Sequence, residues 1–190
     1  AWSDWKESLL NELVSRVTSA LTDNTIARQP EFTSEQRVLA DSGELQVKFE
    51  ARDPDFAIEI IAPDKTGLLS IVAGVLNLAR FDVRSARTQT IGKSAIMKWI
   101  VTPNQFAPSV DEGAIKAAIA EALADASDLT ERIKRRVADY ANIPSIPVPL
   151  PIVETFMDSA TDATIIEVRS HDRPALLFGI GDVITKSQVD

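Results

Sequence analysis

The chain has 190 residues, 45% hydrophobic and 25% charged, which is the balance of a folded polypeptide rather than a disordered one. Lys and Arg number 20 against 28 Asp and Glu, a net charge of −8 that disfavours nucleic-acid binding and polybasic membrane attachment. Without cysteine there are no disulfides, thiol nucleophiles or Cys-ligated metals, and a single histidine, His171, cannot build a multi-His centre.

No apolar run approaches the ~20 residues of a membrane span, and no signal-peptide pattern opens the chain. The expected compartment is the cytoplasm, with no membrane and no nucleic acid among the partners. In chain order, the first element is a helix within 1–23. Trp2, Trp5, Leu9, Leu10, Leu13, Val14, Val17 and Leu21 form one stripe at steps of three and four. Two tryptophans on one stripe need a surface to bury against. They fit either packing on the rest of this chain or the tail of an upstream domain. Residues 24–54 are polar and mixed, and read as a linker with a short helix around Ser34 to Ala40.

From Phe56 the pattern changes. Phe56 to Ala62 is β-branched-rich and reads as a strand, and Pro63 to Gly67 as a turn. Leu68, Leu69, Ile71, Val72, Val75 and Leu76 mark a helix. Asp82–Ile91 and Ser94–Thr102 read as a hairpin about Gly92-Lys93. Asp111 to Ala126 is an Ala-rich helix that begins with acidic residues at its positive end. Leu129 to Tyr140 is a further helix carrying Arg132, Lys134, Arg135 and Arg136, read as a solvated face in preference to an anion or partner patch. Alternating prolines from Pro144 to Pro151 make a stiff connector. Ile152 to Met157 then reads as a strand, and as the fourth strand of the unit. The expected architecture is α+β: a ferredoxin-like βαββαβ domain over 55–157, including the connector 127–151, preceded by a helix.

The chain then repeats itself. Ile58-Glu59-Ile60 matches Ile166-Glu167-Val168. Asp64-Lys65-Thr66-Gly67-Leu68-Leu69 matches Asp172-Arg173-Pro174-Ala175-Leu176-Leu177, at the constant offset of 108 residues that separates Asp64 from Asp172. Residues 158–190 are the start of a second, incomplete unit. Both turns set an Asp, a basic residue and a small residue between a strand and a helix. Asp64 and Asp172 can cap the first helical N–H groups, and the remaining N–H groups suit a carboxylate. A small residue such as Gly67 lets a ligand approach the backbone. Read from these residues alone, the turn is a helix cap in preference to a ligand site; an amino acid is the class of ligand that would fit it. His171 reads as an exposed loop side chain.

The Asp-Lys/Arg-Thr/Pro-Gly/Ala-Leu-Leu turn within a β-α-β-β-α-β order resembles the ACT domain, a small-molecule sensor of amino-acid metabolism. More narrowly, Trp2 to Leu10, the paired units with a long connector, and the run Asp158 to Val168 followed by Asp172-Arg173-Pro174 resemble the C-terminal end of the bifunctional PII-protein uridylyltransferase/uridylyl-removing family. That resemblance implies upstream HD-type and nucleotidyltransferase domains, the latter using Mg2+. It also implies glutamine or another amino acid as ligand, the PII signal protein as partner through the parent enzyme, and a homodimer as one assembly. No catalytic or metal residues and no cofactor are expected in this piece. Lys65-Thr66 and Ala175 depart from the family's usual Arg-Pro and Gly. Gly67 and the fuller first unit favour binding at Asp64 to Leu69 over Asp172 to Leu177. Two other readings are an ACT-type dimerisation module without a ligand and the ACT region of another amino-acid-regulated enzyme.

Overall fold

A computed structural model describes Val14 and residues 32–105, 107, 110–141, 149–158 and 163–187. The helix expected within 1–23 lies outside these residues apart from Val14, which is helical. Most of the proline connector and residues 159–162 also lie outside. The chain divides into two compact units, Ala1–Arg37 and Val38–Asp190.

Helix α1, Ser34–Ser42, begins in the first unit. Its start is a reciprocal capping box. Gln36 N–H donates to Thr33 Oγ1 at 3.1 Å, and Thr33 N–H donates to Gln36 Oε1 at 3.0 Å.

In the second unit α1 is followed by strand β1, Gln46–Arg52, which turns at Asp53-Pro54, joined by a cis peptide bond, into β2, Asp55–Pro63. Helix α2, Leu68–Leu78, leads to β3, Phe81–Ile91, and β4, Ser94–Pro103. Helices α3, Glu112–Ala124, and α4, Ser127–Ala141, follow. The four strands form one antiparallel sheet in the order β1-β2-β4-β3. This is a mixed α+β architecture, with a sheet compatible with the ferredoxin-like class.

The fourth strand is not Ile152–Met157, as the sequence led us to expect, but Gln46–Arg52. It pairs along β2 from Gln46↔Ile61 to Arg52↔Asp55, inside the stretch read as a linker. Val47 and Phe49 pack against the core while Lys48 and Glu50 face solvent, so the strand carries a two-residue period beneath its charges. A hairpin places β1 beside β2 and occupies that edge of the sheet.

One face of the sheet supplies the core. Ile58, Ile60 and Ala62 of β2 and Ala95, Met97, Trp99 and Val101 of β4 meet Val72 and Leu76 of α2 and Ile115 and Ile119 of α3. Each large apolar side chain buried there contributes about 1.5–3 kcal/mol. On the other face, Ser94 Oγ donates to Ala40 O of α1 at 2.7 Å. The α3–α4 corner is set by Asp125, which accepts from Ser127 N–H at 2.9 Å, a bond that holds its carboxyl below the usual range. Helix α4 closes on the core with Leu129 and Ile133. Arg132, Lys134 and Arg135 stay exposed, and Arg132 and Lys134 pair with Asp128 and Glu131. Arg136 does not share that exposure.

Strands β5, Ile152–Asp158, and β6, Ala163–Arg169, form a separate antiparallel hairpin. Helix α5, Leu176–Lys186, follows, 108 residues beyond α2 at both ends. The two helices pack antiparallel. A Cβ on Gly67 would stand 3.5 Å from Thr185, near the opposite end of α5, and one on Gly74 would stand 2.9 Å from the Phe178 ring. Midway, Ser70 Oγ donates to Phe178 O at 3.2 Å, and a Cβ on Gly181 would come 3.2 Å from Ser70 Cα. Glycines at these points let the two backbones approach.

Candidate functional site

At the first turn, Gly67 is the N-cap of α2 with φ 84°, in the left-handed region, and no side chain caps the helix. The expected cap by Asp64 is therefore replaced by another contact. Thr90 Oγ1 donates to Asp64 Oδ2 at 2.9 Å, and Asp64 N–H donates to Lys93 O. A left-handed residue at the N-cap turns the chain into the helix, and the Asp, three residues earlier, is directed to the β3–β4 hairpin. Lys65 Nζ donates to Leu123 O at 2.6 Å, placing a cation at the negative C-terminal end of α3. Thr66 is exposed and Leu68 is buried. The backbone at Gly67 faces the side chain of Thr185 rather than open space.

The second turn follows the same course. Ala175 takes the left-handed N-cap place with φ 60°, again with no side-chain cap, so Asp172 does not cap α5 either. What differs is its setting. Asp172 to Leu177 form one wall of a cleft of about 820 Å3. Residues 82–86 of edge strand β3 and Leu69, Ala73 and Asn77 of α2 line the same cleft. Leu69 is the only residue of the first turn that reaches this cleft. The volume falls within the range of small-molecule sites.

Three features give this cleft its chemistry. First, the open end of α5 leaves the N–H groups of Leu177 and Phe178 without intrahelical partners, since only later N–H groups find a carbonyl four residues back. Second, β3 is an edge strand, so part of its backbone N–H and C=O groups face outward. Its pairing with β4 is broken between Val83 and Ser85 by a bulge at Arg84. The bulge aims Arg84 at the neighbouring strand, where its Nε–H donates to Thr102 Oγ1 at 2.9 Å. Third, charges of both signs line the cleft: Asp82 and Asp172 against Arg84, Arg136 and Arg173.

Arg136 is half-buried and its Nε is buried without a partner among the described residues. Burial and the neighbouring Arg80 lower its pKa, against Tyr140, which is hydrogen-bonded to it, and Asp82. Arg80 itself ends α2 in the left-handed region at φ 67°, with its N–H on Asn77 O and its carbonyl accepting from Asn104 N–H.

Sequence reasoning placed the two turns but missed the other walls. A signal for Arg136 was available. It falls on the stripe Leu129, Ile133, Arg136 and Tyr140, where the steps of three and four call for apolar residues. Asn77 likewise follows Leu69 and Ala73 at steps of four in an otherwise apolar helix. That β3 would face the second turn depends on the packing of α5 on α2, which no local pattern encodes.

His171 is exposed, beside a shallow hollow formed with Pro149, Leu150 and Arg169. Among the described residues no group of three His, Cys, Asp or Glu could hold a metal ion, and no helix is long and apolar enough to cross a membrane.

Relatives bearing one name cover most of the chain. The bifunctional uridylyltransferase/uridylyl-removing enzyme of Mycobacterium tuberculosis is 30% identical over 191 residues, 93% of this chain and 23% of the relative. That of Streptomyces coelicolor is 26% identical over 241 residues, 100% of this chain and 28% of the relative. That of Erythrobacter litoralis is 27% identical over 171 residues, 88% of this chain and 18% of the relative. The chain thus spans less than a third of the length of the curated relatives it matches, as a region of such an enzyme would. No family model and no solved structure matches it.

Proposed function

We propose that the chain is a regulatory, amino-acid-sensing region of a PII-modifying uridylyltransferase/uridylyl-removing enzyme, built of ACT-type units in tandem. The observation that carries this is the alignment of relatives so named along 88–100% of the chain. Transfer and removal of the nucleotide, with Mg2+ for the transfer, belong in this reading to other domains of the enzyme. This chain supplies the sensor and no catalytic residue. The PII protein is the parent's partner.

Glutamine is the proposed ligand, and the cleft at Asp172 to Leu177 is its proposed place. Its α-carboxylate would meet the N–H groups that open α5, where a negative charge gains about 0.3–2 kcal/mol. Its ammonium would meet Asp82 or Asp172. The helix end alone is too weak, since even millimolar affinity needs about 4 kcal/mol. The wall of β3 gives the second turn further partners, which supports placing the ligand there rather than at the first turn. For ligand binding to regulate, glutamine must bind one arrangement of the enzyme better than another.

Titration calorimetry with glutamine tests this reading. Binding in the micromolar to low millimolar range (about 4–8 kcal/mol) is expected. Ser85 is exposed on the β3 wall, so Ser85→Trp should fill the cleft without disturbing the core and abolish the signal. Absence of binding, or undiminished binding by the Trp variant, would overturn it. A second reading, homodimerisation through the β5–β6 hairpin, is favoured by Ile152, Val153 and Ile166, which are 54%, 61% and 42% exposed.

A further inference from the structure

Three side-chain polar atoms are buried without a hydrogen-bond partner among the described residues: Asn77 Oδ1, Trp99 Nε1 and Arg136 Nε. Leaving such an atom unpaired is costly, so each asks for an explanation. Trp99 is wholly enclosed in the core, on the inner face of the sheet. Asn77 and Arg136 differ from it in that both residues line the cleft, with Oδ1 and Nε covered beneath its surface, so that a ligand meets them as the side chains turn toward it.

The two residues belong to one end of the cleft. Asn77 is in the last turn of α2, and its carbonyl accepts from Arg80 N–H at 3.0 Å. Arg136 senses the charges of Arg80 and of Asp82, the residues that follow that helix. Because α5 runs antiparallel to α2, with Thr185 beside Gly67, the start of α5 is brought toward the same end. Asn77, Arg136, the opening of β3 and the free N–H groups of α5 therefore converge.

Their chemistry is complementary. Asn77 Oδ1 only accepts and Arg136 Nε–H only donates. One group satisfies both if it carries an acceptor and a donor side by side. A carboxamide does. A carboxylate lacks the donor, an ammonium lacks the acceptor, and an ester lacks the donor.

We infer that Asn77 and Arg136 form the receptor for the ligand's carboxamide, its C=O accepting from Arg136 Nε–H and its NH2 donating to Asn77 Oδ1. This rests on the cleft being the glutamine site, and it adds what selects glutamine over glutamate there. It also joins α4, which belongs neither to the sheet nor to the β5–β6 hairpin, to the bound ligand. A ligand in the cleft then touches the sheet, the second helix–turn unit and the connecting helix at once.

The test is calorimetry of the chain with glutamine, glutamate and glutamate γ-methyl ester, which keeps the carbonyl and loses the amide donor. Wild type should prefer glutamine over the ester by about tenfold, the value of one well-made hydrogen bond. Asn77→Leu, which keeps the shape and removes the acceptor, should weaken glutamine about tenfold and leave the ester unchanged, so that the preference disappears. Arg136→Met should weaken both, and Arg136→Lys, a donor without the planar fork, should restore part of the loss. Near-ultraviolet circular dichroism of buried Trp99 checks that the core is intact in each variant. Equal losses for glutamine and ester in Asn77→Leu, or no loss for either, would overturn the receptor while leaving the glutamine site standing. Wild-type binding of none of the three ligands would remove the site and the receptor together.

Discussion

Gly67 and Ala175 hold equivalent places at the starts of α2 and α5, and both are left-handed, at φ 84° and φ 60°. The small residue in the repeated turn therefore answers first to backbone geometry. Glycine adopts this conformation freely, whereas a Cβ costs about 1–2 kcal/mol. Ala175 carries that cost and is 8% exposed in the core cluster. Ala175→Gly should accordingly stabilise the chain by about 1 kcal/mol and Gly67→Ala should destabilise it by a similar amount, both read from urea unfolding midpoints. A loss of stability in Ala175→Gly would mean that the methyl's packing outweighs the strain. The same geometry explains why neither Asp caps its helix. The left-handed residue stands at the cap, and Asp64 is carried to the hydroxyl of Thr90.

At the scale of elements, the α2–α5 pair fixes how the second hairpin–helix unit meets the first. The closest approaches are at glycines, where an added Cβ on Gly181 would lie 3.1–3.3 Å from Ser70 and one on Gly74 would lie 2.9 Å from Phe178. The Gly181 neighbours include backbone atoms, which cannot rotate away. Gly181→Ala should therefore cost about 1–3 kcal/mol by overpacking and weaken glutamine binding along with it. Gly179, with nothing within 4 Å of an added Cβ, is the control, and Gly179→Ala should leave both properties near wild type. Equal behaviour of the two variants would show that the helices are not held as described. The repeated turn and helix were legible in the sequence because they rest on local signals: Asp64 and Asp172, Gly67 and Ala175, and the apolar spacing after them. The strand β1 was hidden because Lys48, Glu50 and Arg52 obscured the alternation of Val47 and Phe49. Ile152–Met157 was misplaced for a related reason. A strand pattern carries no information about its partner, and a hairpin to β6 competed successfully with a long return to β2.

At the scale of the whole molecule, the second turn and helix pack on the first. Helix α5 covers α2, and the turn before it closes a cleft against the edge of the first sheet. The first turn has no equivalent role in that cleft, because Asp64 and Lys65 are committed to Thr90 and Leu123. The sequence favoured the first turn on the strength of Gly67 and the fuller first unit. The structure adds that Thr185 lies against Gly67 and that β3 and Asp172 to Leu177 line one cleft. The central claim is that the proposed ligand sits between β3 and the turn before α5, held by residues of both. Amide hydrogen exchange with and without saturating glutamine tests it most directly. Slower exchange is expected at Leu177 and Phe178 and along residues 82–86 of β3, with Asp64 to Leu68 unchanged. Protection confined to Asp64 to Leu68, or absent from both turns, would contradict it.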